Sequence, residues 1–380
     1  MLKALAGGAA IAAVVAVSMA WRPEAAGSGA AEKTAPVQGA PVAQISAEPF
    51  APAAVHEAAS ALPRLHSLLV SRGGEVVFER YYNGTRAERP ANIKSASKSV
   101  ISSLVSIAVE RKLIPSVDTR IATWFPELVE MEPASRRRIT VENLLEMRSG
   151  LESTSGRDYG PWILSRDWVR HALSRPMFAD PDAVMEYSTG NTHLLSAILT
   201  KATGMSTWHF ANEVLARPLG FTLPQWPRDP QGIYFGGNDM LMTPRQLLAY
   251  GELYLNDGRV GDRHIVPARW VERSCDGRAR EFRPGERRGQ RPRIDVNGVP
   301  DPPDPMRDRQ YGYGWWVHEI GGAETCFAWG YGGQYVFVLP ALEMVIVTTA
   351  SPDVSEDRRG HRRELFDILS RLIVAPLSRS

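Results

Sequence analysis

Ser95-Ala96-Ser97-Lys98-Ser99-Val100-Ile101-Ser102-Ser103-Leu104 opens a stretch in which Val100, Leu104, Ile107 and Ala108 recur at helical spacing up to Lys112. Upstream, Ser67-Leu68-Leu69-Val70-Ser71-Arg72 and Glu75-Val76-Val77-Phe78-Glu79-Arg80 flank Gly73-Gly74, the pattern of a β-hairpin. Downstream, residues 139–223 are mostly helical in pattern, with one helix opening at Val141–Leu145 and another over 191–202. Thr243-Pro244 supplies an N-cap and a first-turn proline for a further helix. Residues 277–309 are crowded with Pro, Gly, Arg and Asp and read as an irregular excursion. Strand-like runs follow at 312–319, Gln334–Leu339 and 344–349, then a last helix over 362–373. Strands at both ends with helices between them imply an α+β fold: an antiparallel sheet joining the two ends of the chain, flanked by helices, with an inserted helical lobe.

Composition narrows the function. The 380 residues are 44% hydrophobic, enough for a large core, and Lys+Arg 44 against Asp+Glu 42 leaves a formal charge of +2. Nothing in that balance favours nucleic acid as a partner. HExxH, CxxC, GxxxxGK and GxGxxG are absent from the sequence, as is the GxSxG of an α/β-hydrolase. Cys275 and Cys326 are too few for a disulfide scaffold or a multi-cysteine metal site; whether they pair is open, because sequence gives no Cα separation. No metal and no cofactor is expected.

The N-terminus carries an address. Lys3 precedes an apolar, small-residue run from Ala4 to Ala20, and Ser18-Met19-Ala20 offers a small-residue cleavage site. Residues 1–20 are expected to be a signal peptide or an uncleaved anchor, the sole route to the membrane. Residues 21–50 form an Ala/Pro-rich linker too poor in large apolar side chains to fold, and residues 51–380 the folded domain. The expected location is periplasmic or secreted, where Cys275 and Cys326 would meet oxidising conditions.

Chemistry is suggested by Ser95 and Lys98, which share a helix face at a spacing of three. A serine hydroxyl needs a neighbour to take its proton, and a lysine serves once burial lowers its pKa. Two further stretches accompany the pair. Met185-Glu186-Tyr187-Ser188-Thr189-Gly190-Asn191 precedes an apolar helix containing His193, and Ala328-Trp329-Gly330-Tyr331-Gly332-Gly333-Gln334 approaches a strand. Their order, with Leu144-Leu145-Glu146-Met147-Arg148-Ser149-Gly150, Gly236-Gly237-Asn238-Asp239-Met240, Trp270-Val271-Glu272-Arg273-Ser274 and Tyr311-Gly312-Tyr313-Gly314-Trp315-Trp316, resembles the penicillin-recognising serine hydrolases. That family holds class C β-lactamases, DD-peptidases, and esterase and 6-aminohexanoate-oligomer hydrolase relatives.

The resemblance implies the β-lactamase/transpeptidase-like fold over about residues 65–375. It makes Ser95 the acylated nucleophile, Lys98 its proton acceptor and Tyr187 the group that protonates the leaving group. It also implies an oxyanion hole from the Ser95 N–H and a backbone N–H of the Gly-rich segment, taken as that of Gln334 on an edge strand beside Gly333 and Tyr331. The family's second motif usually reads Tyr-x-Asn; here Thr189 holds the third position and Asn191, a candidate substrate-binding residue, follows two residues later. The third-motif cation is missing, since Tyr331-Gly332-Gly333 stands where Lys/His-Thr/Ser-Gly is usual. Both departures suit an esterase or amidase on small linear substrates better than a β-lactamase or DD-peptidase; a catalytically inactive binding module of the cell envelope is the non-enzymatic alternative. His193 reads as structural. Trp315 and Trp316 should face opposite sides of a strand.

Overall fold

A computed structural model describes residues 50–280, 308–353 and 358–378. The signal or anchor segment and the linker lie outside these residues, as does most of the excursion over 277–309. Twelve strands occur among the described residues. They are β1 (Leu65–Arg72), β2 (Glu75–Tyr81), β3 (Ala91–Asn92), β4 (Leu241–Met242), β5 (Arg259–Val260), β6 (Arg263–His264), β7 (Ala279–Arg280), β8 (Gln310–Tyr311), β9 (Trp316–Ile320), β10 (Ala323–Gly330), β11 (Gln334–Leu339) and β12 (Met344–Ala350). Eight form one sheet in the order β2-β1-β12-β11-β10-β9-β8-β7, and every pairing in it is antiparallel. The first and last parts of the chain meet where β1 pairs with β12, Leu69 opposite Val347.

Side-chain alternation explains why the central strands are apolar on both faces. On β11 and β12, Val336, Val338, Val345 and Val347 point to one core, while Tyr335, Phe337, Leu339, Met344 and Ile346 point to the other. The first face carries the helical lobe, which includes α2 (Ser97–Glu110), α6 (Thr189–Thr203) and α8 (Pro244–Leu255); α3 (Val141–Leu145), α4 (Tyr159–Ile163), α5 (Trp168–Leu173) and α7 (Thr207–Ala211) come between them in the chain, and α1 (Pro52–Ser60) precedes them all. The second face is covered by α1, through Val55 and Ala59, and by the C-terminal helical segment, through Leu365, Phe366, Leu369 and Ile373. α8 begins as its sequence dictates: Thr243 accepts from the Gln246 N–H while the Gln246 side chain accepts from the Thr243 N–H.

Three expectations need revision. The strand β10 lies where the sequence shows only a glycine-rich approach to a strand; Trp329-Gly330 masks an eight-residue strand. The strand that Gln334 opens, β11, is interior rather than an edge, since it lies between β12 and β10. Within the excursion, Ala279–Arg280 forms the last strand of the sheet.

Cys275, at the end of α9 (Ala268–Cys275), is bonded to Cys326 on β10, with Cα atoms 5.3 Å apart. The cross-link ties a lobe helix to the middle of the sheet across 51 residues of chain. In the chain-entropy account a loop of that length restricts the unfolded state by ~4 kcal/mol. Replacing both cysteines by alanine should therefore lower the unfolding free energy by about 2–5 kcal/mol. Denaturant midpoints of the two proteins measure it, and equal midpoints would mean the bond does not form.

Candidate active site

The chain makes an abrupt turn before Ser95. Ile93 donates its N–H to the Met240 carbonyl, Lys94 takes a left-handed conformation (φ 51°), and its N–H is received by Asn92 Oδ1 at 3.0 Å. Lys94–Ala96 then forms a 3-10 turn that feeds α2. Ser95 thus lies on the 3-10 turn ahead of the α-helix, not inside it, half-buried at the lobe–sheet junction. β10 presses on this turn so closely that a Cβ on Gly330 would stand 2.1 Å from the Ile93 carbonyl oxygen, so only glycine fits there.

Lys98 is one residue into α2's first turn and its side chain is 1% exposed. Its Nζ lies 3.0 Å from Ser95 Oγ and 2.6 Å from the carbonyl oxygen of Gly237. Burial pulls its pKa from 10.5 down to about 7, against the opposing pull of Asp239. Asp239 itself holds Lys94 Nζ and Asn92 Nδ2, each at 2.9 Å. A neutral amine has two N–H groups and one lone pair. With one N–H given to Gly237, the lone pair is free for the proton of Ser95.

Tyr187 presents the face of its ring to this centre: Lys98 Nζ lies 5.0 Å from the ring centroid. The ring is held in place by Trp316, stacked at 5.5 Å, and met edge-on by Tyr311. Trp315 points the other way, fully buried against Tyr250 and Tyr254. Behind Tyr187, the serine-rich loop at 153–155 organises the start of α6. Ser153 donates to the Tyr187 carbonyl, while Ser155 and Thr154 accept the Thr189 and Gly190 N–H groups at 2.9 and 2.8 Å. Thr189, at the position of the family's asparagine, turns its hydroxyl to Ser155.

The remaining sequence candidates are engaged with partners other than Ser95 and Lys98 in the contacts that follow. Asn191 is buried, 2% exposed, with Oδ1 accepting from Ser149. Gln334 pairs with Gly330 across the β10–β11 turn, and its side chain is bound to the Ala350 backbone on β12. Gly333 packs against His361 and Ala350, and Tyr331 heads the turn. Sequence reading missed the Gly237 carbonyl and the Lys94–Asp239 pair. The only signal was the Gly236-Gly237-Asn238-Asp239 phrase, and a backbone carbonyl has no residue type to betray it.

No group of three or more metal-ligating side chains occurs among the described residues, and none of their helices is long and apolar enough to cross a membrane. The Beta-lactamase family model matches residues 66–370. Among solved structures, a Bacillus anthracis protein provisionally assigned as a 6-aminohexanoate-dimer hydrolase is similar at 21% identity and TM-score 0.59, over 81% of this chain and 80% of that one. EstCE1, a hydrolase with promiscuous acyltransferase activity, aligns at 16% identity and TM-score 0.62 over 84% and 97%. A penicillin-binding protein from Bacillus halodurans aligns at 15% and 0.59 over 82% and 98%. At these identities the likeness concerns the fold. No curated protein matches the sequence.

The buried lysine has a consequence for stability. Between pH about 7 and 10.5 the folded protein holds Lys98 neutral while the unfolded chain keeps it protonated. The unfolded state then binds more protons, so stability rises with pH across that window. Lys98→Met should flatten this rise. Unfolding free energies of both proteins at several pH values in the window give the difference directly; parallel curves would mean Lys98 is charged in the fold.

Proposed function

The chain belongs to the beta-lactamase family, and we propose that it is an exported serine hydrolase that works through an acyl-enzyme on small esters or linear amides. The observation that carries this reading is the 3.0 Å contact between Ser95 Oγ and a fully buried Lys98 amine whose pKa is near neutrality. In the proposed cycle, Lys98 takes the Ser95 proton as Oγ attacks the substrate carbonyl carbon. The oxyanion is received by the Ser95 N–H and by a backbone N–H at the end of β10. Tyr331 is the better donor than Gln334, because Gly330 is the strand residue in contact with the Ser95 turn. The proton then passes to the leaving group through the Tyr187 hydroxyl, and water repeats the sequence to release the acid and restore Ser95.

Preference for esters or linear amides over β-lactams rests on chemistry that is missing. No Lys or His stands at the third motif to meet a β-lactam carboxylate, and Thr189 is engaged with the loop at 153–155. Names among the structural neighbours, a 6-aminohexanoate-dimer hydrolase and the promiscuous EstCE1, agree with that direction. Export is supported by the apolar leader in the sequence and by the Cys275–Cys326 bond, which suits an oxidising compartment. Turnover of a short-chain nitrophenyl ester beside a chromogenic cephalosporin tests the substrate class; strong cephalosporin hydrolysis with no ester activity would reverse the preference.

Because the neutral amine is the active form, acylation should increase with pH through about 7 and level off above it. Lys98→Arg retains charge but removes a usable base, so the rate should drop about a thousandfold or more. A near-normal rate in that variant would remove Lys98 from the mechanism.

Tyr187→Phe preserves the ring stacked on Trp316 and deletes one hydroxyl. Loss of a proton-transfer group should slow acylation by about two to four orders of magnitude. The loss should be smaller for nitrophenyl esters, whose leaving groups depart without protonation, than for alkyl esters. Equal losses on both would exclude the leaving-group role.

A further inference from the structure

His193 lies on α6 with no access to solvent, and both its ring nitrogens are engaged. Nε2 lies 3.0 Å from Asp229 Oδ2, and Nδ1 receives the Gly236 N–H at 3.4 Å. Asp229 is also fully buried as a side chain, and its other oxygen accepts the N–H groups of Gln231 and Ile233 at 2.9 and 2.8 Å. One neutral tautomer satisfies all of this: Nε2–H donates to the carboxylate and the Nδ1 lone pair faces Gly236. Trp162, Trp168 and Phe235 enclose the ring.

The segment that His193 holds leads straight to the reacting lysine. It runs along α6 toward the helix start, one contact after another. Ser196 donates to the Tyr234 carbonyl at 2.7 Å, His193 takes the Gly236 N–H, and Gly237 is wedged where a Cβ would stand 2.3 Å from Thr192 Oγ1. One residue beyond the Gly236 N–H, the Gly237 carbonyl accepts Lys98 Nζ at 2.6 Å. Past it the segment is pinned again, by Asp239 on Lys94 and by the Met240 N–H on Ser97 Oγ.

We infer that His193, its tautomer fixed by Asp229, is a positioning residue that holds the Gly236–Gly237 backbone where the Gly237 carbonyl can orient the Lys98 amine toward Ser95. This rests on the acyl-enzyme reading above. The carbonyl takes one N–H of the amine, which leaves the lone pair to the serine. Displacing it by a fraction of an ångström would rotate the lone pair away from Oγ, and it would remove an acceptor that favours the protonated amine. The charged and titratable groups that face Lys98 are Asp239, with Lys94 upon it, and the ring of Tyr187; the charged group facing His193 is Asp229.

Asp229→Asn is the sharpest test, since it keeps shape while it removes the carboxylate charge and reverses the tautomer. The two backbone N–H groups of Gln231 and Ile233 claim the amide oxygen, so the amide nitrogen turns to His193 Nε2. Nδ1 must then carry the proton and confront the Gly236 N–H. Acylation by a nitrophenyl ester is followed against pH, with each rate divided by the Ser95 sites that a fluorophosphonate labels.

The limiting rate per site should drop roughly tenfold to a hundredfold, with the rise moved to lower pH. Adding His193→Asn, whose Oδ1 offers Gly236 an acceptor near the Nδ1 position, should restore the wild-type profile. If Asp229→Asn does not fold, His193→Leu within the same ring of aromatics serves in its place and should show the same loss. An unchanged per-site rate and profile, with only a lower melting temperature, would overturn the inference. So would a double variant, Asp229→Asn with His193→Asn, that performs no better than Asp229→Asn alone. Failure of the underlying reading looks different: Ser95 would not label in the wild type, or Lys98→Arg would turn over normally.

Discussion

Removal of the Lys98 amine from water is the constraint on which the rest of the site depends. An ammonium in that position would carry a large desolvation cost, so the fold shifts the group toward its neutral form. Three separate parts of the chain converge on the amine: α2, which carries and buries the lysine; the Gly236–Gly237 backbone, whose carbonyl accepts from it; and Tyr187 at the head of α6, whose ring lies over it. Asp239 limits the effect by drawing the pKa upward, while its own charge is balanced by Lys94. The balance leaves the group near neutrality, where a base is most useful.

Close backbone approach makes that convergence possible. Gly330 lets a central strand rest on a carbonyl just before Ser95, and Gly237 lets a loop lie against α6. Neither contact tolerates a Cβ. The sheet supplies rigidity behind them, because β10, β11 and β12 are buried on both faces and packed between the lobe and the terminal helices. The Cys275–Cys326 bond fastens the lobe to the same central strand, four residues before Gly330 in the chain. Stability and site geometry thus share one element.

The hairpin at Gly73-Gly74, the capped start of α8, and the strands β11 and β12 were legible because each is specified locally. Glycine permits the left-handed turn, threonine accepts its own helix's N–H, and apolar runs six or seven residues long mark buried strands. β10 was hidden because Trp329-Gly330 and the glycines after it mimic a loop; its glycine exists for a neighbour distant in sequence. The Ser95–Lys98 pair was legible as chemistry, since a spacing of three brings the two side chains to one side of a helical turn.

What the sequence indicated by itself is therefore the family and the α+β class, and it singled out Ser95, Lys98 and Tyr187 as candidates through motifs whose residue types and order are visible along the chain. The tertiary structure alone decided that Ser95 stands on a 3-10 turn, that Gly237 offers its carbonyl to Lys98, and that His193 is locked between Asp229 and Gly236. It also decided that Cys275 and Cys326 meet. The last three join atoms that lie far apart along the chain, and two of them use backbone groups that every residue possesses. A carbonyl has no letter in the sequence, and only the packing that buries it gives it a partner.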